Sequence, residues 1–437
     1  MKKRTSVLEF WAMLCIFSVF LDKAIRGAFV FDFYYYYPIF LIFLIVMLIK
    51  KGHIVMPPRW FNWGIFTIFI TGFGVLMYRD MLGFEYIKQV FGILFTSFVS
   101  YNVLYVFRFD IVRIFNYYLR FAYWVALFGV FDNILHIAGI HITTNLASGG
   151  LLHREFSIMG EPFYLAVALA PAVVYNLIYF QEAWTKNRNR FLVIMICYLI
   201  TYSSIAVTGL VAGFILALHI NNFFSLKKNR LALVPIIIIP AFLLINQLIE
   251  NVSLLNVRFN DTYELFFSSE MQPDKAGESN ASTFALYSNF IVSRDSFIKN
   301  PLFGSGLGAH PLIYRETFLE YFPSVYLKRY GAQNQQDANS KFLRLLSETG
   351  LTGLLLFLFA FFKFFASKRK MITPGLKRLG AINYSIAVYI LLCLIRNGNY
   401  VNIGFFLFFF IYYVTWKQIQ TRYQQQLSAA RQPMYME

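Results

Sequence analysis

Three arginines and three carboxylates stand where they could handle a phosphorylated substrate: Arg154, Arg258 and Arg294, with Glu161, Asp337 and Glu348. A guanidinium stays charged at any working pH and binds phosphate oxygens in a fork. A carboxylate within hydrogen-bond reach of a hydroxyl can take its proton. Arg154 comes shortly before Gly160-Glu161-Pro162 and a long apolar run. Proline suits the first helical turn, and a helix N-terminus just after an arginine is a natural anion site. As plain punctuation, Gly160 and Pro162 need no ligand. Arg294 leads into Asn300-Pro301-Leu302-Phe303-Gly304-Ser305-Gly306-Leu307-Gly308. Gly304, Gly306 and Gly308 allow close approach to a ligand or to a neighbouring helix, could form an anion nest, or could make a ligand-free turn. The strand, helix and lysine context of a nucleotide loop is missing, which excludes a P-loop or dinucleotide fold.

Further on, Asp337, Lys341, Arg344 and Glu348 are spaced so that a helix beginning near Asp337 carries all four on one face. That face runs into an apolar stretch. An ionisable group at the end of a membrane span is a functional-site candidate, with an internal Arg344–Glu348 pair as the alternative. Gly350 and Gly353 read as a small-residue face for close helix packing. Tyr263, Tyr287, Tyr314 and Tyr330 could stack on sugar rings or simply pack.

The elements that must position these groups are membrane helices. With 58% hydrophobic and 14% charged residues over 437, and a mean hydropathy of +0.55, the chain has too little polar surface for a soluble globule. About twelve spans are expected, near 7–21, 33–49, 60–78, 86–107, 111–135, 162–180, 191–207, 208–224, 231–249, 342–365, 379–396 and 403–416. The first run follows Met1-Lys2-Lys3-Arg4 but lacks a small-residue cleavage site, so it reads as a retained helix. Lys50-Lys51, Arg108 with Arg113, Lys186 with Arg188 and Arg190, Lys227-Lys228 with Arg230, and Lys368-Arg369-Lys370 then share one side. By the positive-inside rule that side and both termini are cytoplasmic, with 136–161 and 250–341 facing outward. The organisation is therefore helices one to nine over 1–249, a long outer loop over 250–341, and three helices with a tail over 342–437. Polar backbone of that loop's length cannot lie in hydrocarbon, where each unpaired amide costs several kcal/mol.

The formal charge of +17 follows this loop pattern and calls for no nucleic acid. Cys15, Cys197 and Cys393 all lie in apolar runs, so no disulfide framework or thiolate metal site is expected. No two histidines have metal-ligand spacing.

Taken together, Arg154 with Gly160-Glu161-Pro162, Arg294 with the glycine stretch, and Asn339-x-x-Phe342-Leu343 followed by Glu348-x-Gly350-Leu351-x-Gly353 resemble the O-antigen polymerase and ligase family (Wzy and WaaL types). The motifs cover about a fifth of the chain. The resemblance implies a GT-C-like fold in a bacterial inner membrane and a periplasmic active face. It further implies an undecaprenyl-pyrophosphate-linked oligosaccharide as donor, no cofactor or metal, and a chain-length regulator as a further partner. In the ligase branch a histidine stands close before the motif asparagine. Here Asp337-Ala338-Asn339 has none, and His310 follows the glycines instead, which favours polymerase over ligase. On this reading Arg154, Arg258 and Arg294 bind pyrophosphate, and Glu161, Asp337 or Glu348 activates the acceptor. A flippase of the same lipid-linked oligosaccharide is the competing reading; the polar mass in one asymmetric loop argues against the repeated halves of many transporters.

Overall fold

A computed structural model describes residues 6–22, 24–25, 33–140, 154–221, 253–267, 279–330, 334–402 and 404–431. The span expected at 231–249 and the side chain of Arg258 lie outside the described residues. What is described is all-α, with sixteen α-helices and one two-residue antiparallel pairing of Ala24–Ile25 with Phe33–Tyr34.

The helices are α1 (Val7–Phe17), α2 (Tyr36–Lys51), α3 (Arg59–Tyr78), α4 (Phe84–Val106), α5 (Ile111–Ile137), α6 (Pro162–Ile178), α7 (Phe180–Lys186), α8 (Arg188–Ile200) and α9 (Ser204–Ile220). They continue as α10 (Ser253–Phe267), α11 (Ala281–Lys299), α12 (His310–Tyr321), α13 (Ser324–Tyr330), α14 (Lys341–Lys363), α15 (Pro374–Arg396) and α16 (Phe405–Arg431). Five of them, α3, α4, α5, α14 and α15, are long and apolar enough to cross a membrane; α6 with α7 makes six if that pair, bent by 93°, is one span. The other expected spans fall short for plain reasons. The α1, α2, α8 and α9 helices have 11, 16, 13 and 17 residues, and the second half of α16 is polar.

At the centre, α6 packs against α9 and α15, and α15 against α16. Both α6 and α15 are apolar nearly all round and buried on most faces, as a helix at the middle of a bundle must be. Chain direction alternates through the bundle. One end gathers Lys51, Arg113, Lys186 and Lys368, joined there by Arg113–Glu9 at 3.2 Å and by Lys368 to the carbonyl of His219. The other end gathers Asp22, Arg154, Glu161, Lys341 and Arg396; below it is called the site end.

The long polar segment has a core of its own at the site end. Phe284, Tyr287, Ile291, Ile313, Tyr314 and Phe318, from α11 and α12, bury one another. Tyr287 and Tyr314 are thus core residues rather than exposed sugar platforms, and the Tyr314 hydroxyl is 2.9 Å from Ser288 Oγ. Tyr263 is exposed, at 61%, and the side chain of Tyr330 lies outside the described residues.

Candidate functional site

The site is built on a broken helix. At Gly350 the backbone of α14 swings to φ 58°, ψ −153°, which frees carbonyls before the break and amides after it. The turn after α11 takes up both. Ser305 N and Gly306 N donate to Ser347 O and Glu348 O at 2.8 and 3.0 Å, while Leu351 N and Thr352 N donate to Pro301 O and Leu302 O at 2.9 and 3.0 Å. Unpaired backbone groups at this depth would be costly, so the turn and the break stabilise each other. The two glycines at the crossing admit no side chain: a Cβ on Gly304 would lie 2.6 Å from the carbonyl carbon of Glu348, and one on Gly350 the same distance from Gly304 N. Gly306 and Gly308 press in the same way on Leu76 of α3 and on the backbone of Glu85. The partner that the glycine stretch approaches is protein backbone and side chain. Gly350 is a break, not the packing face expected from its spacing to Gly353.

The first half of α14 buries three charges in a row: Lys341, Arg344 and Glu348 are 1%, 2% and 0% exposed. Arg344 Nε donates to Glu348 Oε1 at 3.1 Å and its Nη1 to Gly398 O at 3.3 Å, and the guanidinium lies 4.3 Å from the Tyr400 ring centroid. The Tyr400 hydroxyl donates to the other oxygen of Glu348 at 3.0 Å. Both carboxylate oxygens of Glu348 are therefore engaged. Asp337 departs from expectation: it precedes α14 rather than joining its face. Ala338 and Asn339 have φ of 56° and 59°, and Ser340 caps the helix by accepting from Leu343 N, so the helix cannot begin earlier. Asp337 still acts electrostatically on Lys341, Arg344 and Arg396. Burial raises its pKa above the usual carboxylate value, against an amide hydrogen bond from Asn339 N at 3.0 Å and those three cations.

Arg396, at the last turn of α15, is a residue sequence reasoning missed. Glu161 and Asp337 both lie within its electrostatic reach, and Glu161 also faces Arg154. Arg396 donates to the backbone carbonyl of Ser282 at 3.3 Å and to its hydroxyl, and its Nη1 is 3.1 Å from the oxygen of Asn339 with that amide turned to satisfy its neighbours. Arg154 is half-buried, and burial lowers its pKa while Glu161 works the other way. Its segment is pinned on both sides. Gly160 N donates to Asp22 Oδ1 at 3.0 Å, and Glu155 N to Ile200 O at 3.1 Å where α8 ends. The Glu155 carboxyl is fully buried, near Asp132, and pushed up to about 7, chiefly by burial. The available signal for Arg396 was its place at the outward end of an expected span, an arginine on the side the positive-inside pattern leaves poor in them.

The structure therefore gathers Arg154, Glu161, Asp337, Asn339 and Arg396. Arg294 stands apart from them, its guanidinium 6.0 Å from the Tyr321 ring centroid. It follows Ser282, the contact of Arg396, by twelve helical residues, a rise of about 18 Å along α11. His310 is fully buried with its Nδ1 2.9 Å from Ser347 Oγ and its Nε2 2.9 Å from Asn289 Oδ1. Burial and the nearby Arg344 push its pKa down to about 3, so it is a neutral brace between α11 and α14. Among the described residues no three of His, Cys, Asp and Glu converge on a metal position.

Residues 191–358 match the family model described as O-antigen ligase. The match runs from α8 into α14 and takes in the glycine turn, Asp337, Asn339 and the charged half-helix; Arg154, Glu161 and Arg396 lie outside it. No curated protein matches the chain.

Proposed function

Starting from an O-antigen ligase family domain at residues 191–358, we propose that this protein is a membrane glycosyltransferase that polymerises lipid-linked oligosaccharide repeat units. A growing glycan moves from undecaprenyl pyrophosphate to the next repeat unit. The observation that carries the reading is that Arg154 and Arg396, from segments far apart in sequence, share Glu161 at the site end, with Asp337 beside Arg396. By the positive-inside rule, the basic clusters at the opposite end support a periplasmic site end.

The acceptor's sugar hydroxyl attacks the anomeric carbon as the bond from that carbon to pyrophosphate oxygen breaks. Arg154 and Arg396 hold the leaving pyrophosphate and offset its growing charge, in place of the clamp of Arg154, Arg258 and Arg294 expected from sequence. Electrostatic help of this kind is worth about 3–4 kcal/mol per donor. The hydroxyl proton passes to Asp337, whose raised pKa makes it a better acceptor than an ordinary surface carboxylate. Glu161 holds the two arginines in register. On this reading Arg294, beside Tyr321 and apart from the arginine pair, serves the glycan rather than the pyrophosphate.

The family description favours the ligase reading. Against it, no histidine stands at Asp337-Ala338-Asn339, and both ring nitrogens of His310 are bonded in the core. The deciding experiment is to delete the gene and separate the surface polysaccharide on a gel. A single-repeat band in place of the ladder supports polymerase. Long polymer left on undecaprenyl pyrophosphate would instead mean ligase, and repeat units trapped at the cytoplasmic face a flippase.

A further inference from the structure

Two carboxyls are buried together where the 154–161 segment crosses α5. Glu155 is fully buried and Asp132 nearly so, and Asp132 acts electrostatically on Glu155. The Glu155 side chain fills a gap that Gly129 leaves: a Cβ there would lie 3.1 Å from Glu155 Cγ and 3.0 Å from Cys197 Sγ of α8. The carboxyl accepts from Ser157 N at 2.5 Å and from Asn133 Nδ2 at 3.4 Å, both neutral donors. The titratable groups on the elements packed around it are Asp132 from α5, with His136 one helical turn further on, and the Cys197 thiol from α8. On its own segment Arg154 is the next residue, and that guanidinium works with Glu161.

Neither the neutral donors nor Asp132 supplies a counter-charge. A carboxylate in such a place is costly, and two neighbouring carboxyls resist ionising together. The proton is therefore what lets Glu155 stay in the gap. Few other groups hold the segment: Glu155 N donates to Ile200 O at 3.1 Å, Ser157 Oγ to Val125 O at 2.8 Å, and Gly160 N to Asp22 Oδ1 at 3.0 Å. Ser157 has φ 52°, a left-handed backbone that persists only while its surroundings enforce it. Once the carboxyl leaves the gap, that turn relaxes and Arg154 moves with it.

We propose that Glu155 is a pH-sensitive latch on Arg154, seated in the Gly129 gap while it carries a proton and released when it gives that proton to water. The consequence for chain growth rests on the reading under Proposed function; the seating itself does not. Glu155 is a positioning residue, acting through the arginine beside it.

The test follows amide hydrogen exchange of the full chain in lipid nanodiscs at about pH 6 and about pH 8, on either side of the Glu155 value near 7. Comparing wild type with Glu155→Gln at each pH cancels the intrinsic pH dependence of exchange. The peptide covering 154–161 should be equally protected in both at the lower pH and about tenfold less protected in wild type at the higher one, the factor that one pH unit past the midpoint gives. Peptides from α6 and α15 should not differ. Equal protection of 154–161 at both pH values overturns the proposal, as does a loss spread over the whole bundle. In the same preparation the wild-type rate of chain growth should fall on the alkaline side with a midpoint near 7, and Glu155→Gln should lack that fall. A switch in exchange with no alkaline fall in growth keeps the latch and removes Arg154 from the reaction, a failure of the functional reading alone. If Glu155→Gln does not fold, Asp132→Asn carries the test: without the neighbouring like charge the exchange midpoint should move to lower pH, and an unmoved or raised midpoint overturns the latch. Loss of the switch in His136→Gln but not in Glu155→Gln would assign it to the histidine and overturn the proposal.

Discussion

The two halves of α14 have opposite characters. Before Gly350, Lys341, Arg344 and Glu348 are buried against α15 and the Gly398–Tyr400 turn; after it, Leu355, Leu356, Phe359 and Phe362 are 57%, 40%, 64% and 69% exposed. A continuous helix would carry its backbone hydrogen bonds through unchanged. The break lets a turn from the polar segment enter and lock the charged half in place, while the apolar half keeps to hydrocarbon. One helix thereby serves as both a site wall and a membrane rod.

The sharpest way to break the contrast is Glu348→Ala. It leaves Arg344 buried without its ion-pair partner and should cost about 3–5 kcal/mol, read as a lower unfolding temperature in detergent. Gly350→Ala comes next, at about 3 kcal/mol, because it combines positive-φ strain with displacement of the Pro301–Gly304 backbone. A normal unfolding temperature for that variant would mean the turn does not lock the break. A pH titration sharpens the picture on the other wall of the site. The Glu155 carboxyl is raised to about 7 in the fold from an ordinary 4.5, so the folded state holds its proton more tightly. Its stabilising contribution is full below about 4.5 and is lost as pH rises through about 7, a swing of about 3 kcal/mol that Glu155→Gln should flatten. The smallest effect belongs to the apolar half: Phe359→Ala should stay within about 0.5 kcal/mol.

How far these features were legible in the sequence differs by range. Eleven of the twelve stretches read as spans fall on helices, because long apolar runs are a local signal; the twelfth lies outside the described residues. The Arg344–Glu348 pair was readable from its spacing, being four residues apart on one helix. Gly350 was misread because Gly350-x-x-Gly353 has the same spacing whether a helix packs there or breaks there; the difference lies in Pro301–Gly306, some fifty residues earlier. Asp337 was placed on the helix by periodicity, which carries no sign of the left-handed turn at Ala338 and Asn339. The convergence of Arg396 on Glu161 spans more than two hundred residues, and no local rule reaches that far. Tyr287 and Tyr314 looked like possible sugar platforms because composition cannot say that the polar segment builds an aromatic core.

The most direct measurement is polymerisation in vitro, with purified protein and lipid-linked repeat unit, comparing wild type with Arg396→Ala. The account predicts that the variant folds and inserts normally while its rate of chain growth falls about 100- to 1000-fold. A normal ladder from Arg396→Ala would contradict the paired-arginine site.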